Sequence, residues 1–218
     1  MNTPKRLALA LALAAPLAAS AQHVNWTEWA PASTAIGTTS YNGMPITVEY
    51  TGQMNGLDYD ASYFSNTGSF TNAEVENTPG ANGSVRMSGG TTPVNHIHLS
   101  APVSNPYLAL YSVGQPNVGV HFNFSEGTSI TILSQGAGHW GGGTLALETP
   151  TSVLGYEGNG ILRLNGTYSD IYFTTPNYEY YYGFTLGVAA VPEPGTYAML
   201  LAGMTLLGAA ARRRREKR

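Results

Sequence analysis

His96 and His98 stand two residues apart in "NHIHLS", and on an extended chain that spacing returns both side chains to one face. Ile97 and Leu99 take the other face, so the imidazoles point outward and the aliphatic pair inward. Two same-face histidines bind a divalent transition metal when His121 or a carboxylate arrives from a neighbouring strand. Spacing fixes no such third ligand, and on sequence grounds neither a metal nor any other cofactor is expected. Asp58 and Asp60 in "NGLDYD" are candidate oxygen ligands for calcium. Calcium takes about six to eight oxygens, usually around a glycine-containing loop, whereas these two read as acids on the polar side of a strand.

Glycoside hydrolysis needs two carboxyl groups facing each other across about 5 to 9 Å. Glu126, Glu148, Glu157 and Asp170 are available, but none lies in a Glu-x-Asp-x-x-Glu strand. Glu157, before Gly158-Asn159-Gly160, reads as a turn carboxylate accepting backbone N–H groups. There is no Gly-x-Ser-x-Gly elbow, and Gly141-Gly142-Gly143 lacks the lysine and the strand–helix setting of a phosphate loop. That glycine run reads instead as a bend admitting a close neighbour. No catalytic residue is assigned. "NYEYYYGF" sets Tyr178, Tyr180 and Tyr182 on one expected face, with Glu179 and Tyr181 on the other. These three tyrosines, together with Trp140 beside His139, are the candidate contacts for a sugar ring.

The elements that must carry these residues are short and alternating. "PITVEY" turns Ile46, Val48 and Tyr50 to one side, "VGVHFNF" does so for Val118, Val120, Phe122 and Phe124, and "LDYDASYF" reads as a further strand. Gly, Pro, Asn and Ser separate many such runs, and long 3.6-residue periodicity is absent. The expected fold is all-β, a two-sheet antiparallel sandwich of jelly-roll type, over residues 22–188. Trp26 and Trp29 are expected to pin the start of the chain to it.

Charge is segregated. Between Gln22 and Ala190 eleven acids face only two basic residues, Arg86 and Arg163, a net of −9. Such a surface repels phosphate backbones, so nucleic acid is not an expected partner. With no cysteine there is no disulfide, thiolate metal site or cysteine nucleophile.

The ends carry addresses. Lys5 and Arg6 precede the apolar run "LALALALAAPLAAS", and Ala19-Ser20-Ala21 supplies a small-x-small cleavage site. Residues 1–21 therefore read as a secretory signal peptide, with the Sec translocon and signal peptidase as partners. Tyr197 to Ala211 is uncharged and apolar for about 15 residues, or about 22 Å of helix. That is short against a hydrocarbon core of about 30 Å. A transmembrane helix is expected over 196–211, followed by a basic cytoplasmic tail at 212–218. Arg212, Arg213, Arg214 and Arg215 would stop transfer and set orientation, with the β domain on the periplasmic side.

Upstream, in the 189–195 linker, stand Val191-Pro192-Glu193-Pro194-Gly195. This Pro-Glu-Pro, the short apolar segment and the arginine cluster together resemble the PEP-CTERM sorting signal of Gram-negative bacteria. The resemblance implies recognition of Pro192, Glu193 and Pro194 by an exosortase, a transient inner-membrane intermediate and delivery to the cell surface or extracellular matrix. Two prolines hold that stretch extended and outside any helix. Residues 100–188, with "GHWGGGTL" and "YEGNGILRLNGTYSDIYFT", resemble a β-rich passenger found with such tails. Three readings follow in order: a non-enzymatic exported surface or matrix protein associated with exopolysaccharide or biofilm, a lectin-like module assisted by calcium, and a secreted hydrolase.

Overall fold

The structure is a computed structural model describing residues 21–31, 34–189 and, near the C-terminus, 201, 203–205, 207, 208 and 212. The expected signal peptide therefore lies outside the described residues except for Ala21. So do the Pro192-Glu193-Pro194 motif, Arg213 to Arg215 and most of the expected membrane segment. The C-terminal residues that are described are helical, and among the described residues no helix is long and apolar enough to cross a membrane.

The chain begins with β1 (Val24–Trp26), β2 (Glu28–Trp29), β3 (Ala35–Tyr41), β4 (Met44–Thr51) and β5 (Gly56–Asp58). A 3₁₀ turn (Ala61–Phe64) and the short helix α1 (Thr67–Phe70) follow. Then come β6 (Ser84–Ser104), β7 (Tyr107–Val113), β8 (Val120–Phe124), β9 (Ser129–Gln135) and β10 (Thr144–Thr149). The unit closes with β11 (Ser152–Tyr156), β12 (Gly158–Asn165) and β13 (Thr167–Ala189). Among the described residues these thirteen strands form one continuous sheet, and every strand pair is antiparallel.

The all-β architecture expected from the alternation is present, but its two layers are not separate sheets. They share β6 and β13, which run through both. The first half of β13 pairs with the second half of β6 (Ile171 with Ile97) in a layer ordered β10-β11-β8-β13-β6-β4-β3-β2. The second half of β13 pairs with the start of β6 (Phe184 with Val85) and with β7 in the other layer, which continues to β12 and β9. Register shifts between Phe173 and Tyr182 mark the passage from layer to layer. On β6 the same bend falls at Gly89 and Gly90, whose φ of 59° and 70° suit glycine.

Folding the layers together buries one core. Tyr50 of the first layer meets Phe184 of the second at 5.3 Å, edge to face, and Phe122 meets Tyr182 at 5.8 Å. Phe173 lies 5.7 Å from Phe184 on its own strand, across the bend. Such ring pairs add about 0.5–1.5 kcal/mol each beyond their area burial. The first layer alternates as expected: Ile46, Val48, Tyr50, Ile97, Leu99, Ile171 and Phe173 are buried, while His98 and Tyr172 are not.

The second layer does not alternate, because it is covered on both faces. Leu108 and Leu110 of β7 pack into the shared core, whereas Tyr107, Ala109 and Tyr111 pack against Phe64, Phe70, Val75 and Trp26. That second cover includes the 3₁₀ turn and α1. "LDYDASYF" is thus the last two residues of β5 and a helical turn rather than one long strand. Trp26 and Trp29 do anchor the start: their indole N–H groups donate to the Asn77 carbonyl (3.1 Å) and to Thr185 Oγ1 (3.0 Å).

Candidate functional site

An aromatic cleft of about 620 Å³ opens where β7, β13 and the loop before β10 meet. Tyr63, Trp140, Tyr180 and Tyr181 supply its rings, and Ser112, Gln115, Glu157 and Glu179 its polar groups. The volume is in the ordinary range for a small-ligand site. A larger groove of about 750 Å³ lies along β1 and β3, but small polar residues dominate its lining.

Local chain geometry builds the cleft. Gly138 lies against the Asn159 side chain, and the Gly143 N–H donates to the Glu157 carbonyl at 3.0 Å, so the His139–Trp140 loop is drawn in. The glycine run is the close-approach bend expected of it. Trp140 then packs 4.7 Å from Tyr63 and 5.0 Å from Tyr181, ring centre to ring centre.

Tyr181 is held from behind. Its hydroxyl donates to Asp58 Oδ2 at 2.6 Å and lies 3.0 Å from the Tyr63 hydroxyl. Arg86 bonds Asp58 at 3.4 Å and sits 5.5 Å from the Tyr181 ring centre. Burial, then the Asp58 bond, pushes the Tyr181 hydroxyl well above the phenol range, so it remains a donor.

Two acids face the cleft, in unlike surroundings. Glu157 Oε1 accepts from Ser112 Oγ at 2.7 Å, and it does not close its own turn as the sequence suggested, because residues 158–165 are strand β12. Glu157 and Ser112 are both non-glycine residues with left-handed backbone, at φ 58° and 52°. Ser112 lies in the register shift between β7 and β12, and such bulges re-aim side chains beside functional sites.

Glu179 is 4% exposed. Its Oε1 accepts from the Tyr181 N–H (3.0 Å) and Gln115 Nε2 (3.3 Å), while Oε2 is buried with no hydrogen-bond partner among the described residues. Burial raises its pKa against those bonds, and the nearby Glu157 charge raises it further. An orphaned carboxyl oxygen among aromatic rings suits a ligand that brings a hydroxyl and an apolar ring face, which is the chemistry of a sugar.

The candidate residues read from sequence divide accordingly. Tyr180 (76% exposed) and Trp140 (47%) line the cleft. Tyr178 is exposed but sits over Gly90 on the bend, outside the cleft lining. Tyr182 is corrected: it is fully buried, with ring centres 5.8 Å from Phe122, because β13 has by then passed the bend into the second layer, where Tyr182, Phe184 and Leu186 face the shared core. Asp58 and Asp60 do not converge as calcium ligands. Asp58 faces Arg86 and Tyr181, and Asp60 caps the 3₁₀ turn by accepting from the Ser62 N–H at 2.8 Å.

His96 and His98 face outward as expected, and strand pairing supplies what spacing left open. Asp170 Oδ1 lies 2.8 Å from His96 Nε2 and 2.9 Å from His98 Nδ1. His121 lies elsewhere, 2.9 Å from Glu148 Oε2 and 2.7 Å from Asn177 Oδ1. No sequence pattern singles out Tyr63, Ser112, Gln115, Glu179 and Tyr181 as site residues, since only the tertiary fold brings them together.

Residues 190–215 match the model of the PEP-CTERM protein-sorting motif. The chain carries a PEP-CTERM sorting signal. The match spans the Pro-Glu-Pro, the apolar segment and Arg212 to Arg215, in the order read from the sequence. A PEP-CTERM signal implies an exosortase as processing partner and export toward the cell envelope and surface. Among curated proteins and solved structures nothing matches the chain.

Proposed function

We propose that this protein is an exported, non-enzymatic component of the cell surface or extracellular matrix, associated with exopolysaccharide or biofilm. The observation that carries the reading is the PEP-CTERM match at residues 190–215, in a chain that opens with a signal-peptide pattern. Export proceeds through the Sec translocon, signal peptidase cuts after Ala21, and the tail halts in the inner membrane with the β unit on the periplasmic side. An exosortase then releases the β unit near Pro192 to Pro194.

The test is the intact mass of the protein from cells and medium of a native host, with the exosortase present and deleted. A mature form from Gln22 to the Pro-Glu-Pro, seen only with the enzyme, is the expected result. A form retaining Arg218 in both strains would make the tail an ordinary membrane anchor.

The aromatic cleft favours a second, compatible role as a carbohydrate-binding module. The specific observation is the buried, unpartnered Glu179 Oε2 beside Trp140, Tyr180 and Tyr181. Mobility in gels containing exopolysaccharide extracted from the host is the assay. Trp140→Ala should weaken retardation roughly tenfold, which corresponds to about 1.4 kcal/mol. Unchanged retardation would remove the cleft as the site. Polysaccharide cleavage that disappears in Glu179→Gln would replace the binding role with a hydrolase.

A further inference from the structure

We infer that His96, His98 and Asp170 form a surface site for a divalent transition-metal ion, of which zinc is the natural probe. Strand register brings the three residues together. On β6 the two imidazoles leave the same face, and β13 lays Asp170 directly opposite His98 and Tyr172 directly opposite His96. On the other side β4 pairs Glu49 with His98 and Thr51 with His96. All three ligand residues therefore sit on hydrogen-bonded strands of one layer, and no loop has to close to assemble them.

The side chains are already gathered. One ligand atom from each residue lies within 4.8 Å of the other two. Tyr172 stacks on the His96 ring at 4.3 Å and 13°, which holds that imidazole plane in place. Asp170 Oδ1 is the shared acceptor of both histidines, at 2.8 Å from His96 Nε2 and 2.9 Å from His98 Nδ1. The arrangement puts a carboxylate oxygen where two imidazole nitrogens converge.

The donor set selects the ion. Two imidazole nitrogens and one carboxylate oxygen suit zinc, cobalt, nickel or copper, whereas calcium and magnesium require oxygen donors. Zinc–ligand bonds of about 2.0–2.1 Å place tetrahedral ligand atoms about 3.3 Å apart. The His–Asp distances of 2.8 and 2.9 Å need to open by about 0.4–0.5 Å, and the two imidazole nitrogens, within 4.8 Å of each other, must come to the same spacing, a change that side-chain rotations supply. Each nitrogen facing Asp170 must turn its lone pair to the ion, so the metal replaces the two hydrogen bonds. His98 and Asp170 have side chains 47% and 39% exposed, which leaves a coordination position open to water or to a donor from another molecule. Glu49, exposed on the neighbouring strand opposite His98, adds negative charge nearby without joining the cluster.

The experiment is a titration of the full-length protein, without a histidine tag and in detergent, with zinc chloride by calorimetry and with cobalt(II) by visible absorption. One ion per chain is expected, with a cobalt d–d band displaced by zinc and undisturbed by excess calcium. His98→Gln and Asp170→Asn should each weaken zinc at least about tenfold. His121→Gln, on the Glu148–Asn177 pair, should leave binding as it was. Because the three ligands are at the surface, unchanged circular dichroism in each variant separates lost binding from lost fold. Absence of a one-to-one transition, or binding that survives His98→Gln, overturns the inference. In either case the trio is a hydrogen-bonded surface cluster only.

Discussion

Glu179→Gln tests the cleft most directly, because it removes a charge and keeps the shape. In the native chain Oε1 is satisfied by Tyr181 and Gln115, and a glutamine oxygen can accept the same two bonds. Oε2 is buried with no hydrogen-bond partner among the described residues. Leaving a buried polar group unsatisfied costs about 1–3 kcal/mol, and more when it is charged. The amide nitrogen replacing Oε2 is also buried but carries no charge, so the net gain at neutral pH should be about 1–2 kcal/mol.

The sign with pH follows from the raised pKa. A carboxyl whose folded pKa exceeds its unfolded value contributes stability that is full below the unfolded pKa and is lost as pH rises through the folded one. At pH 4 and below, wild type and variant should melt together, since both then carry a neutral group. The variant should pull ahead as pH rises through the native Glu179 pKa. For a chain of this size about 1 kcal/mol moves Tm by about 2–4 °C, so a lead of about 2–8 °C is expected on the alkaline side. Thermal melts by near-ultraviolet circular dichroism between pH 4 and 8 read this out. Parallel curves at every pH, or a less stable variant on the alkaline side, would refute the reasoning that a buried, unpartnered carboxylate is a liability kept for a ligand.

Tyr182→Ala and Tyr180→Ala should differ sharply although the residues are two apart. The first empties a fully buried site and should lower stability in urea by about 3–5 kcal/mol, whereas the second should stay within about 0.5 kcal/mol. Gly89→Ala should destabilise by more than about 1 kcal/mol, because φ is 59° and the new Cβ would meet the Thr175 carbonyl at 3.0 Å. The urea midpoint measures it, and a neutral result would deny that the β6 bend needs glycine. Asp170 should titrate below the ordinary aspartate range in carboxyl-carbon NMR and return toward it in His96→Gln/His98→Gln. Its contribution to stability is present above the unfolded pKa and lost as pH falls through the folded one, so Asp170→Asn should matter less as acid is added.

The alternation in "PITVEY" and "NHIHLS" was enough to predict which side chains of β4 and β6 face the core. The first layer has one solvated face, so period two is written into its residues. The same reasoning fails for β7 and the second half of β13. Those strands are buried on both sides, under a shared core and under the turn and helix of residues 61–70, and no alternation survives there. It fails again at Tyr182, where β13 leaves the exposed bend and enters the doubly covered second layer, a change that depends on pairing with a strand about 90 residues away.

What the sequence determined by itself is therefore local or tied to the chain ends. The all-β class, the outward histidine pair and the PEP-CTERM signal depend on neighbours a few residues apart, or on ordered segments read in succession. Tertiary structure alone decided that Asp170 completes the histidine pair, that Tyr182 is core, and that Glu157, Glu179, Trp140 and Tyr181 share a cleft. Each of those depends on register between distant strands, and register is set by the packing of the whole sheet rather than by any single segment.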